Sequence, residues 1–449
     1  MDSIPATHDN AYPQSNAYST NRHIHVFPGA ANAYLHPSSA NVYILAGTAN
    51  GNIYILTGAA KRDPYRDPYA HNDAGAVTFP FKIAKSMPEI TPFLKSLLSA
   101  PGLSGYEAPA AKLIEKKWRP LVDELTVSRI GSLHGLKKGT STALSTGKRP
   151  SIMIATHMDA IGLMVTQIVD SFLHFTEVGG VDPRILVGTP VTVHATGSGK
   201  TEELYGVVVQ PPARALPPGA GDSPVGLNDL LIDTGLTAKE AVAKIRIGDV
   251  VSYGTEPVEL AGDVISGHTL DNRASVAALT VALEELKGKS HTWDVWAVAT
   301  VQEETVFGGA YTSAFDLHPD LAVAIDVTFA KGPGASDWST FPLGKGLTLG
   351  FGPNIHTYLF KKFKELADTL EIPYAVEMLP RHSGTDTYAM QVTAEGIPTM
   401  VLGIPLRYMH TPVEVVSLKD IQRTGRLLAE FIAALEVDFV EKITWDDEK

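Results

Sequence analysis

His157-Met158-Asp159, Asp271-Asn272-Arg273, Glu303-Glu304, Asp326 and His410 hold the side chains of this 449-residue chain best suited to chemistry. Each group follows or interrupts an apolar, strand-like run, which places it on a loop at an element end. Two imidazoles with several carboxylates suit a pair of divalent ions such as zinc, manganese or cobalt. Such a pair binds a substrate oxygen and generates hydroxide at neutral pH, which points to a hydrolase.

Each residue also has an ordinary structural explanation. His157 directly follows the strand-like run Ser151–Ala155, and Asp159 is placed to accept its second ring N–H and fix its tautomer. Asp271 stands at the start of a helical pattern, where aspartate commonly caps. A carboxylate at that junction can also bridge two metals with its two oxygens. Glu303 and Glu304 follow the apolar run Val295–Val301, where adjacent carboxylates cost stability unless paired or coordinated. Chemistry divides their labour: one binds metal, while its neighbour takes a proton from water and passes it to the leaving amine. Asp326 ends the run Leu321–Ile325, and His410 follows Tyr408-Met409 in a proline-containing loop. The chain has 15 histidines, so most need no catalytic explanation. The signal lies in the order His, Asp, Glu-Glu, Asp, His, each at an element end.

The elements that must position these groups alternate between helix and strand. The spacing predicts helices over Pro88–Ala100, Tyr106–Trp118, Arg273–Lys287, His356–Leu370 and Leu418–Leu435. Val295–Val301 and Leu321–Ile325 are continuous apolar runs, as central strands covered on both faces require. From about Val165 to Gly262 the texture changes to alternating β-type runs rich in Gly and Pro, namely Pro190–His194, Leu204–Val209 and Asp249–Tyr253. The fold class implied is α/β: a layered catalytic domain in two parts, 87–165 and 263–449, with a small β-barrel-like domain inserted over 166–262. In such layered folds sites gather at the carboxyl ends of strands, where the candidate residues stand. Residues 1–86 differ in composition and repeat an irregular Asn-x-Tyr pattern. They read as a poorly ordered extension, with a hairpin over Asn41–Leu45 and Asn52–Leu56 as the alternative, and with Met87 as the natural start of the catalytic portion.

A net charge of -12 disfavours general nucleic-acid binding, which needs basic surface to displace counterions. No stretch approaches the roughly 18 uninterrupted apolar residues of a membrane helix. Zero cysteines remove disulfides, thiolate ligands and a cysteine nucleophile. The N-terminus shows neither the basic nor the apolar region of a secretory signal, so a cytoplasmic location is expected.

From about residue 88 to 436 the chain resembles the TET-type metallo-aminopeptidases, a group that includes glutamyl and deblocking aminopeptidases. The matching stretches are Ala155 to Gly162, Leu270 to Arg273, Gln302 to Glu304, Ala324 to Val327, Gly384 to Asp386 and Arg407 to Thr411. The resemblance implies that His157 and Glu304 ligate different ions, that Asp271 bridges both, and that Asp326 and His410 complete the two shells. It further implies Glu303 as general base, Asp159 as the partner of His157, and a cis Asp271–Asn272 bond. Two divalent metal ions, zinc first and cobalt or manganese as alternatives, peptide substrates and a homo-oligomer, the hollow dodecamer among the forms, complete the picture. The chain departs from the family's pattern at Thr305 to Gly309, after the paired glutamates, and in residues 1–86.

The leading reading is therefore an aminopeptidase. A glycoside hydrolase using paired carboxylates, a related metal-dependent deacylase or carboxypeptidase, and a non-catalytic binding protein that keeps the ligands are the competing ones.

Overall fold

The computed structural model describes residues 42–49, 52–57, 89–140, 149–212, 214 and 226–443. The chain divides into two units, Met1–Ser86 and Met87–Lys449. In the first, Val42–Ala49 and Asn52–Thr57 pair antiparallel, the two segments where a hairpin is the alternative expectation. The expectation of poor order otherwise falls outside the described residues.

The second unit is built on an 11-stranded mixed sheet. At its centre Asp294–Thr300, Ser151–His157, Leu321–Phe329 and Thr399–Arg407 run parallel. Ser151–His157 is buried at every position and Leu321–Phe329 at all but the last, as strands covered on both faces must be. Antiparallel strands flank this centre; Val264–Gly267 pairs with Glu414–Ser417, which pairs in turn with the end of Thr399–Arg407. The parallel arrangement sends four strand ends the same way, and their carboxyl ends carry the candidate residues.

The helix Leu270–Leu286 lies in the core between the sheet and two other helices, Thr91–Leu98 and Leu418–Ala434. The pattern Val276, Leu279, Leu283 and Leu286 predicts one inward face; in the structure almost every position from Leu270 to Leu283 is buried. Small residues make this all-round burial feasible. A Cβ on Gly425 would stand 2.4 Å from the Ala278 carbonyl oxygen and 2.7 Å from Val281 Cβ, so the two helices touch at backbone distance only because glycine is there. Helix starts are also shorter than periodicity predicts: the first two begin at Thr91 and Ala108, each with proline in its first turn.

Six antiparallel strands close into a separate barrel: Gly162–Val169, Phe172–Val178, Pro190–Ala195, Glu202–Val209, Leu231–Asp233 and Val250–Tyr253. Leu163, Val165, Leu173, Phe175, Val193, Val208, Ile232 and Val251 fill it. Closure leaves no unpaired edge. The barrel strands span Gly162–Tyr253, so the insertion begins earlier and ends sooner than 166–262. Gly162 is the reason at one end: a Cβ there would meet Leu103 Cδ2 at 2.6 Å and the Val251 oxygen at 2.8 Å, so barrel pairing begins immediately beside the catalytic domain. At the other end, Val258–Leu260 pairs with Val264–Gly267 and thereby joins the large sheet. Among the described residues no helix is long and apolar enough to cross a membrane.

Candidate metal centre

His157 is the last residue of its strand, level with Thr300, and Asp326 lies in the adjacent strand, whose Ala324 pairs with Ala155. Glu303 and Glu304 open a single helical turn, Glu303–Val306, after the strand Asp294–Thr300. His410 follows the strand ending at Arg407. Asp271 comes from the start of the core helix, but at φ -77° and ψ 102° it is not helical, and its peptide bond to Asn272 is cis, as the resemblance implies. Asp271 thus does not cap. Its side chain turns to the two histidines instead.

Its two oxygens face different imidazoles. Asp271 Oδ1 is 3.2 Å from His157 Nε2, and Asp271 Oδ2 is 3.4 Å from His410 Nε2. Around His157 Nε2 stand Asp326 Oδ1 and Glu303 Oε2, both at 3.7 Å. Glu304 Oε2 lies 3.4 Å from His410 Nε2. The donor atoms of His157, Glu303 and Asp326 lie within 4.8 Å of one another, as do those of His157, Asp271 and Glu304. All seven sequence-predicted residues come together here, in two halves that share Asp271.

Asp159 is buried, and it accepts the backbone N–H groups of both Glu303 and Glu304 at 3.1 Å each. The same residue stands beside His157 Nδ1, its carboxylate at 3.4 Å and its main-chain oxygen at 3.3 Å. One aspartate therefore ties a histidine to the glutamate turn, a wider role than fixing a tautomer. Glu107 adds to this support by accepting the Gln302 N–H at 3.1 Å.

The charge balance of the centre favours cations. Burial pushes Glu303 and Asp326 well above the usual carboxylate range, and it raises Glu304, with Asp271 adding to the effect, to about 8. Burial alone would lower His157, but Glu303 and the other surrounding carboxylates outweigh it and push the imidazole well up. His410 rises to about 9, chiefly through its hydrogen bond to Asp271. Burial opposes ionisation of Asp271, yet its two histidine partners hold it below the ordinary aspartate value. Burial thus disfavours the charged carboxylates, and divalent ions placed among them would offset that cost and displace the protons. The hard oxygen and imidazole donors fit zinc, cobalt or manganese.

Several supporting residues escape sequence reading. Glu414 is buried and accepts the Asp271 N–H at 3.0 Å through one oxygen and the His410 N–H at 2.9 Å through the other. It thereby fixes the backbone of the shared carboxylate and of the outer histidine together. In sequence it opens an ordinary strand, Glu414–Ser417, and its distance of four residues from His410 is the only local signal. Asp386, in a stretch quoted only for its resemblance, is pushed by burial to about 6 and accepts a 2.5 Å bond from Thr300 Oγ1. Arg273 is wholly buried and donates to the carbonyls of Leu97, Ala100 and Met158, so it ties the first helix to the segment between His157 and Asp159. From the barrel, Gly179 and Gly180 approach the outer half: a Cβ on Gly180 would lie 3.1 Å from His410 Nδ1, and one on Gly179 3.5 Å from Glu304 Cβ.

The chain is similar to known proteins. The profile of the M42 glutamyl aminopeptidase family matches residues 139–427, which include every residue from His157 to His410. The lysyl aminopeptidase of Pyrococcus furiosus is 33% identical over 352 residues, covering 77% of this chain and 98% of that protein. Among solved structures, the TET aminopeptidase of a marine-sediment Thaumarchaeota archaeon superposes with a TM-score of 0.73 at 29% identity, over 79% of this chain and 99% of that one. The Pyrococcus horikoshii TET1 peptidase, described as assembling into a tetrahedron or a large octahedral shell, matches with a TM-score of 0.66 at 29% identity, over 77% of this chain and all of that one.

Proposed function

The chain belongs to the M42 glutamyl aminopeptidase family and is a peptide-bond hydrolase, and from that premise we propose that it is a metal-dependent aminopeptidase with a dinuclear centre and Glu303 as general base. The observation that carries this reading is Asp271, with one oxygen 3.2 Å from His157 and the other 3.4 Å from His410. His157, Asp271 and Asp326 would hold one divalent ion; His410, Asp271 and Glu304 would hold the other. When bound, the pair would supply polarisation of the scissile carbonyl and a source of hydroxide at neutral pH.

The protein's own groups do the rest. Glu303 stands beside the inner half without being needed to complete either set, and burial raises its proton affinity. It is suited to take a proton from the attacking water and return it to the departing amine, since a base is most effective when its pKa lies near the working pH. Asp159 fixes the backbone of Glu303 and Glu304 and the ring of His157, which keeps base and ligands in register. Glu414 does the same for Asp271 and His410.

Sugar cleavage fits less well. Glycosidases place two carboxyl groups about 5–9.5 Å apart across a sugar, whereas the ligand atoms of Glu303 and Asp326 lie within 4.8 Å. Family members differ in the residue they are named for, lysyl in one relative and glutamyl in the family as a whole. The proposal accordingly specifies removal of N-terminal residues and leaves the side-chain preference to measurement. Self-association into a homo-oligomer, as the Pyrococcus horikoshii protein is described to undergo, is part of the same proposal, and light scattering on the purified full chain tests it.

The activity test is a panel of aminoacyl chromogenic substrates assayed with chelator and after adding back zinc, cobalt or manganese. Turnover that chelator abolishes and one of these ions restores is the expected result. Turnover indifferent to chelator, or confined to N-blocked substrates, would overturn the proposal.

A further inference from the structure

The last residue of the barrel strand Val250–Tyr253 lines a cavity with Asp271 and Glu304 of the metal centre. Tyr253 is 5% exposed, its ring packs edge-on against His268 with centroids 6.2 Å apart, and its hydroxyl has no hydrogen-bond partner. Thr269 is in the same position chemically: its Oγ1 is buried and unpaired. Thr269 also adopts φ 63° and ψ 16°, a left-handed conformation that a β-branched residue rarely takes without a constraint. Both residues line one small cavity of about 10 Å³ together with Asp271, Glu304, Thr411 and Glu414.

That volume admits about one water molecule, and a buried water needs two to four polar partners. The cavity provides them in complementary form. Two unpaired hydroxyls bring O–H groups, and the three carboxylates that line the cavity are acceptors. Leaving a tyrosine hydroxyl buried and unpaired costs free energy that a phenylalanine of the same shape would avoid. A bridging water removes the cost.

We infer that the hydroxyls of Tyr253 and Thr269 hold one internal water against the outer side of Asp271, Glu304 and Glu414. Tyr253 is thereby a positioning residue through which the barrel steadies the carboxylates of the outer half. It acts through these carboxylates. The inference rests on the dinuclear reading above, and it assigns the barrel a chemical part in the site besides its packing. Outer partners of metal ligands typically govern affinity by about 10–100-fold, so that is the effect expected here.

The experiment compares the full-length wild type, Tyr253→Phe and Thr269→Ser in high-resolution crystal structures and in zinc titrations against a competing chelator. A water within hydrogen-bonding distance of Tyr253 Oη and Thr269 Oγ1 in the wild type, lost in Tyr253→Phe and kept in Thr269→Ser, supports the inference. So does about 10–100-fold weaker binding of one zinc, and only one, in Tyr253→Phe with Thr269→Ser near wild type. A dry cavity, hydroxyls paired directly to protein, or equal zinc affinities in Tyr253→Phe and wild type overturns it while leaving the dinuclear reading intact. A correctly folded wild type that binds no divalent ion overturns both.

Discussion

His157 ends a fully buried strand in the middle of the sheet and is 2% exposed; His410 lies in the loop after Arg407, and its side chain is 36% exposed. The two histidines share one carboxylate, yet they are held by different means. The inner pair, His157 and Asp326, hangs on adjacent parallel strands whose register fixes the spacing. The outer half, His410 and Glu304, depends on single hydrogen bonds that their backbone N–H groups donate to Glu414 and Asp159, and on the close approach of the barrel at Gly179–Gly180. Scaffold rigidity and solvent access should therefore make the inner ion the better retained. An open, more exchangeable outer position also suits a group that must meet substrate.

Asp271 joins the halves, so removing it should have the largest effect. Asp271→Ala is expected to empty both positions and abolish turnover, whereas His410→Ala should lose one ion and keep the other. Elemental analysis of the purified, folded variants decides this, and retention of a full pair by Asp271→Ala would break the shared-carboxylate account.

Glu303→Gln should come next. Removing the proton acceptor while keeping the shape is expected to lower kcat by about 10²–10⁴-fold with both ions still bound. Near-normal turnover in that variant would take Glu303 out of the mechanism.

Glu414→Gln sharpens the comparison further. It replaces a carboxylate that accepts two backbone N–H groups, at Asp271 and His410, by an amide that can accept only through one oxygen. Zinc affinity is expected to fall about 10–100-fold, with the outer position emptied first. Equal loss from both positions would show that the halves are not held separately.

pH should act oppositely on the centre and on the barrel. In the metal-free centre the folded-state values of Glu304, about 8, and His410, about 9, lie above their ordinary ones. Such groups stabilise the metal-free fold below their unfolded values, near 4.5 for the carboxylate and 6.5 for the histidine. That stabilisation is lost as pH rises through 8 and 9. Zinc, which must displace those protons, should bind more tightly as pH rises from about 6 to 9, with proton release visible in calorimetry in buffers of different ionisation enthalpy. In the barrel, burial pushes His194 below its ordinary value. Its contribution is complete above about 6.5 and declines as pH falls below that. A zinc affinity independent of pH would contradict the first expectation.

The smallest effect is expected from residues 1–86. A chain beginning at Met87 should retain the activity and metal content of the full chain, since 363 residues follow Ser86 and the match to the Pyrococcus furiosus relative takes in 77% of this chain and 98% of that protein. Loss of folding or activity on that truncation would make the first unit part of the enzyme.

The candidate ligands stood out in the sequence because metal chemistry restricts them to few residue types, and because a polar residue that ends a buried apolar run contrasts with it. His157, Asp326 and Glu303-Glu304 all have that signature, and the same runs identified the central strands. Helix boundaries were less legible, since periodicity reports which face is buried and not where capping begins. Leu270–Leu286 shows the limit: its heptad-like pattern predicts one buried face, and packing against both the sheet and Leu418–Ala434 buries the rest.

By itself the sequence determined the α/β class, the change of texture that marks the barrel, and seven candidate side chains that the fold brings together. Only the tertiary structure decided how they act together. Asp271 faces two histidines because its backbone leaves the helix at that point, and Glu414 supports it from 143 residues away. Tyr253 reaches the centre because the barrel closes against Leu103 through Gly162 and ends there. Local sequence encodes residue chemistry and periodicity. The partners that tune it are assembled by long-range pairing, which leaves no trace in spacing along the chain.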